Sequence, residues 1–399
     1  MRVIVHDFSG HPFQAELARS LAARGHEVLH VQCASYPSGK GSFDVDDAGN
    51  PQYASVSVGD VFERYRTGRR LVHELRYARR FIRLARRFKP DLVLSCNDPL
   101  IAKARFGFWA ARRRVPWVFW LQDIYSVAMA REAARRSRLG RGVGAALQAL
   151  ERRLLRSSDA VVAITEDFDP VLDAWGIPTE KRTVIENWAP LDEVPPRPRD
   201  NPWREQMGLG DRFVYLYAGT LGLKHDPDVL YDLAMAEPEA EVVVVSEGLG
   251  ADRLLARQAE RPMSNLRVLP YQPWESLPDV LGAADVLVVL LEAEAGAFSV
   301  PSKILTSLCA GRPILASMPD ANLGARTIAR AEAGIVVAPG DSGRFLAAAE
   351  DLRSDTQLRG RMGAAARAHA ERAFDIERIT DEFDAVLHGA AGRASEVRI

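Results

Sequence analysis

The chain has 399 residues, of which 47% are apolar and 26% charged, with a formal net charge of −1. That length exceeds one ordinary core and implies two domains; no apolar run approaches the roughly 20 residues that would cross a bilayer. Three widely spaced cysteines (Cys33, Cys96, Cys309) exclude a disulfide frame or a zinc site and fit reduced thiols in the cytoplasm.

The start, "MRVIVHDFSG", is too short in its apolar run for a secretory leader and predicts a first β-strand. Ser9-Gly10-His11 follows as a flexible turn at a strand end, where Gly10 and His11 could meet a ligand; a plain strand-to-helix loop is the alternative. "QAELARSLAARG" predicts a helix stopped at Gly25. The runs "HEVLHVQ", "DLVLSC", "PWVFWLQ", "AVVAIT" and "RTVIEN" predict further strands. Their alternation with helical stretches implies a parallel sheet covered on both faces.

Residues 63–89 hold 11 basic residues in 27, with Leu71, Leu75, Ala78, Phe81, Ile82, Ala85 and Phe88 at helical spacing. This predicts a basic amphipathic helix. Arg131, Arg135, Arg136, Arg138 and Arg141 form a second cluster. Basic residues near an anionic leaflet contribute about 1 kcal/mol each, so an anionic membrane surface is the expected partner if this face points outward. Nucleic acid is not expected, because aromatic residues are sparse among the basic ones and no recognition motif is present. The charge is polarised: residues 1–190 carry 30 Lys and Arg against 21 Asp and Glu, and the rest carry 22 against 32. Asp123 ends the "PWVFWLQ" strand and is a candidate ligand contact; capping a helix is its competing role.

Five prolines in "PLDEVPPRPRDNPW" interrupt the rhythm and read as a linker. The alternation restarts with "RFVYLYAG", "EVVVVSEG", "LRVLPYQ", "ADVLVVLLE", "RPILAS" and "AGIVVAP". The predicted organisation is therefore α/β, two doubly wound Rossmann-like domains facing each other across a cleft. Its divisions are 1–190, a linker at 191–205, 206–375, and a C-terminal helix at 376–399 that could return to the first domain.

Three loops of the second half point to a diphosphate. In "YAGTLGLKHDPD", Gly219 and Gly222 relax the backbone and Lys224 supplies charge. Only six of the 52 basic residues are lysines, which makes each one here informative. "VSEGLGADRLL" sets Gly248 and Gly250 between strand and helix. "VPSKILTSLCAGRPILAS" puts Pro301, Ser302 and Lys303 at a helix start, where free N–H groups favour an anion. Tyr271, in "LPYQPWESL", could flank a base or simply pack. No P-loop and no G-x-G-x-x-G after either first strand is present, which argues against an ATPase or a nicotinamide enzyme.

With these residues in hand, the chain resembles the retaining GT-B glycosyltransferases of family 4. Within them it is similar to a WbuB/WcaI-like subgroup that builds surface polysaccharides. The resemblance rests on Gly219-Thr220-Leu221 with Lys224, on "PSKILTSLCAGRPI", on "VIENWAP" and on "ELARSLAARGHEV". It implies a nucleotide-sugar donor, expected to be UDP-linked, held in the second domain with no metal or other cofactor. Lys224 and Gly219 would hold the β-phosphate, Ser302 and Lys303 the α-phosphate, and Gly248, Tyr271 and Thr306 would border the nucleoside. Asp123 and Lys224 would serve catalysis, and Gly10, His11 and Asp123 the sugar and acceptor. The acceptor would be a lipid-linked saccharide at the inner face of the plasma membrane. Two departures stand out: the family's paired glutamates fall at Phe298 and Thr306, and an arginine that often joins the lysine is Thr220. Glu292 and Glu294 are the nearby carboxylates that could substitute. A transferase for a soluble acceptor, a non-catalytic nucleotide-sugar-binding subunit and a sugar-nucleotide epimerase are the competing expectations.

Overall fold

A computed structural model describes residues 1–36, 49–59, 67–96, 98–127, 129–130, 138–222, 224–295 and 300–396. The chain divides into two compact units, Met1–Asn187 with Asp375–Ile399, and Trp188–Phe374.

The first unit is built on seven parallel strands in the order β3-β2-β1-β4-β5-β6-β7. They are β1 (Arg2–Asp7), β2 (Glu27–Gln32), β3 (Gln52–Ser55), β4 (Leu92–Cys96), β5 (Trp117–Leu121), β6 (Ala160–Ala163) and β7 (Arg182–Val184). Central strands are covered on both faces, hence their unbroken apolar runs: Val3, Ile4, Leu92, Val93, Leu94 and Val118 are all fully buried. β3 was invisible to that criterion, since "QYAS" is polar and only half buried at the sheet edge. The order reverses between β1 and β4, and ligands of open α/β sheets bind beyond the strand ends at such a reversal.

The basic helix is described over Thr67–Phe88. It buries Tyr77, Ala78, Phe81, Ile82, Ala85 and Phe88, but Leu71, expected on that face, is 45% exposed beside an exposed Val72. Residues 63–66 and Arg131, Arg135 and Arg136 lie outside the described residues, as does the side chain of Arg138. Helix Ile376–Glu396 belongs to this unit and packs on helix Pro12–Ala23. Arg24 pairs with Asp381 (2.6 Å) and Glu377 (2.9 Å), the Thr380 hydroxyl donates to Ser20 (2.9 Å), and Phe383 lies against Trp120 with ring centroids 4.6 Å apart.

The second unit has six parallel strands in the order β10-β9-β8-β11-β12-β13. They are β8 (Phe213–Ala218), β9 (Ala240–Val245), β10 (Leu266–Leu269), β11 (Val286–Leu290), β12 (Ile314–Ser317) and β13 (Gly334–Val337). The reversal again follows the first strand. Residues 191–205 are anchored to this unit. Val194 is fully buried, Glu193 accepts from the Trp274 indole (3.0 Å), and Arg199 pairs with Asp285 (2.9 Å). Pro202 starts a short helix, Pro202–Gln206, capped by Asn201, whose side chain accepts from the Arg204 N–H, and the side chains between the other prolines tie the segment down. Among the described residues no helix is long and apolar enough to cross a membrane.

Candidate functional site

In the first unit, the loop after β1 is organised by Asp7, the last residue of the strand and fully buried. The Ser9 N–H donates to its Oδ1 (3.0 Å), the His11 N–H donates to Oδ2, and the His11 ring holds Oδ1 through Nδ1 at 3.2 Å. Burial alone would raise the Asp7 pKa. The opposing pull of His11, by charge and hydrogen bonding, and of nearby His30 outweighs it and keeps the carboxyl below its ordinary value. A carboxylate on Nδ1 fixes the tautomer and orientation of the imidazole, with Nε2 as the ring's second nitrogen. Gly10 sits in the same turn, its N–H bonded to the Asp7 carbonyl (3.3 Å). Asp123 follows β5, on the same sheet edge, and is half buried beside a Tyr125 whose pKa burial and the Asp123 charge push up.

In the second unit, the loops after β8, β9, β10 and β11 converge. Gly219 has φ +127°, and a Cβ built on it would lie 2.6 Å from Lys303 Cε; the absence of a side chain lets the lysine cross the loop. The Lys303 ammonium stands 5.2 Å from the centroid of the buried Tyr217 ring. Ser302, directly before helix Lys303–Ala310, has helical torsions and makes no side-chain capping bond, so its exposed hydroxyl is not spent on the helix start. Thr306, one turn on, donates its hydroxyl to the Lys303 carbonyl (3.1 Å).

Lys224 is fixed through its carbonyl, which accepts from the Glu292 N–H (2.8 Å). Next to it, His225 accepts the Gly222 N–H on Nδ1 (3.0 Å). Burial, with the positive charges of Lys303 and Lys224, pushes the His225 pKa down to about 3, so at neutral pH it is an uncharged ring with its proton on Nε2. Burial and the charges of Asp226 and Glu294 push the Glu292 carboxyl up. Thr220 and Tyr271 join by a 2.6 Å hydroxyl–hydroxyl bond. Gly248 precedes helix Leu249–Glu260, and the Gly250 N–H donates to the Leu221 carbonyl (2.9 Å); a Cβ at Gly250 would press on that oxygen at 2.7 Å. The four loops thus place Gly219, Lys224, Lys303, Gly248 and Tyr271 around one strand-end edge, with a serine hydroxyl that makes no capping bond at a helix N-terminus. Such an edge can receive an anion through positive charge and backbone N–H groups.

Sequence reasoning missed Asp7 and His225. Asp7 reads as the end of a strand, and only a histidine four residues on hints at its task. His225 carries no signal beyond adjacency to Lys224. Phe298 lies outside the described residues.

Residues 11–188 match the family described as "Glycosyl transferase 4-like domain", and residues 200–369 match "Glycosyl transferases group 1". The chain is 22% identical over 422 residues to the colanic acid biosynthesis glycosyl transferase WcaI of Escherichia coli (strain K12), covering 96% of this chain and 98% of the other. Among solved structures it is similar to sucrose-phosphate synthase from Thermosynechococcus elongatus, with TM-score 0.75, 17% identity, and 97% and 98% of the two chains covered. It is similar also to Anabaena HepE, solved with UDP and glucose, with TM-score 0.71, 17% identity, and coverage of 97% and 99%. At such identities the structural likeness speaks for the fold.

Proposed function

The chain belongs to the GT-B glycosyltransferases, and we propose that it moves a sugar from a UDP-linked donor to a lipid-linked saccharide at an anionic membrane surface, with retention of configuration, in surface polysaccharide biosynthesis. The observation that carries the donor half is Lys303 laid across Gly219, with Lys224 on the same loop as Gly219 and an uncharged His225 beside both lysines. Positive charge fixed in advance where a leaving diphosphate gathers charge lowers the barrier more than the ground state. Lys224 and Lys303 supply that charge, and His225, neutral, offers an N–H without repelling them. Tyr271 and Gly248 border the nucleoside, and Thr306 stands one turn beyond Lys303. The UDP assignment draws support from HepE, solved with UDP and glucose. The polysaccharide assignment draws support from WcaI, by its name a colanic acid biosynthesis enzyme. Gly10, His11 and Asp123 contact the sugar or acceptor, and the basic helix of the first unit faces the lipid headgroups.

A thermal-shift panel of UDP, GDP, ADP and dTDP tests the donor half, because a ligand of the native state raises its melting temperature. UDP should give the largest rise, and Lys303→Ala should flatten it. Indifference to all four nucleotides would overturn the reading.

A further inference from the structure

Helix Thr67–Phe88 lies beside helix Leu100–Arg113, and a groove of about 810 Å³ is lined by both. Six arginines face it: Arg79, Arg83 and Arg86 from the first helix, and Arg105, Arg112 and Arg113 from the second. No lining residue is acidic, and none of the six forms an ion pair among the described residues. Both helices run back from the C-terminal to the N-terminal edge of the sheet. All the lining residues except Arg105 belong to their later halves, so the groove lies toward the edge opposite Gly10, His11 and Asp123.

Helix dipoles favour cations in the last turn, which accounts for Arg86, Arg112 and Arg113. They do not account for Arg79, Arg83 and Arg105, which lie further upstream. Like charges gathered this way repel one another unless an anion lies among them. Arginine's planar fork matches phosphate oxygens two at a time. Two apolar groups add to the picture. Phe108, also in the lining, is 65% exposed, with the Arg112 guanidinium 5.5 Å over its ring. Trp109 lines the groove too, and its buried indole N–H has no acceptor among the described residues.

We propose that this groove is a second anion site, separate from the nucleotide site, that takes a ligand carrying two or more phosphate groups. The arginines neutralise the phosphates, the Trp109 N–H gains an acceptor, and Phe108 covers an apolar part of the ligand or enters a bilayer. Phosphates of either a soluble oligophosphate or clustered lipid headgroups meet these requirements. The site does not depend on the glycosyl-transfer reading.

The full chain, saturated with UDP, would be titrated with inorganic tripolyphosphate by calorimetry. It would also be floated with phosphatidylcholine vesicles with and without phosphatidylglycerol. Arg83→Gln/Arg112→Gln should weaken binding at least about tenfold, through lost charge-assisted bonds, with an unchanged melting temperature. Arg79→Gln/Arg105→Gln serves as a second variant should the first fold poorly. Variant-sensitive tripolyphosphate binding identifies a soluble source, and variant-sensitive flotation alone identifies lipid. Absence of both, or binding equal in wild type and both variants, overturns the site while leaving the nucleotide results untouched.

Discussion

After β1 the chain turns around a buried carboxylate, and after β8 it turns on a glycine crossed by a lysine. Both loops follow the first strand of a parallel sheet whose strand order reverses at that place. The place in the sheet is shared, and the charge carried there differs. Asp7 gathers N–H groups and an imidazole inward. Gly219 lets Lys303 across, and His225 stays neutral beside it and Lys224. One edge carries a buried carboxylate, the other two lysines beside a neutral imidazole. The fold supplies a place, and a few side chains set the sign of what can occupy it.

The sharpest way to break this contrast is Lys224→Ala, which should lower sugar transfer on the order of 100-fold, as loss of one preorganised stabilising group does. It should also weaken UDP binding in calorimetry. Asp7→Asn should cut transfer roughly tenfold, about 1.4 kcal/mol in barrier height, by freeing the His11 ring, while UDP affinity stays at the wild-type value. A parallel fall in UDP affinity would show that the two edges are not independent. Next comes pH. Burial holds His30, in the first unit, at about 4 and His225, in the second, at about 3. Both values lie below the free imidazole near 6.5, so the unfolded chain binds protons first as acid is added. Stability should therefore decline from about pH 6.5 toward 4, read by melting temperature, and His225→Gln should remove part of that slope. The smallest effect is expected from Tyr271→Phe, which loses the 2.6 Å bond to Thr220. Loss of about 1 kcal/mol, near fivefold in UDP affinity, is the expected result.

Every strand with an unbroken apolar run was legible, because burial on both faces writes itself into composition. β3 was not, because an edge strand needs no such run. The second unit's loops drew notice for a different reason: with six lysines in the chain, two after strands stand out. Thr306 illustrates what composition leaves out. Its hydroxyl already bonds the Lys303 carbonyl, a fact of helical geometry that spacing cannot reveal. Asp7 and His225 depend on burial and, beyond their local partners, on the charges of His30 and Lys303, which a linear reading does not hold. The proline-rich stretch shows a further limit, since chain stiffness says nothing of Arg199 reaching Asp285.

Helix Ile376–Glu396 has a consequence for biosynthesis. The residues that seal Trp120 and Ser20 are translated only after the whole of Trp188–Phe374. Domains emerging from a ribosome generally fold as units, the earliest first. Here the earliest must wait, its flank open, until the intervening unit has been made, so the nascent first unit offers apolar surface to chaperones for longer than its position in the chain would suggest.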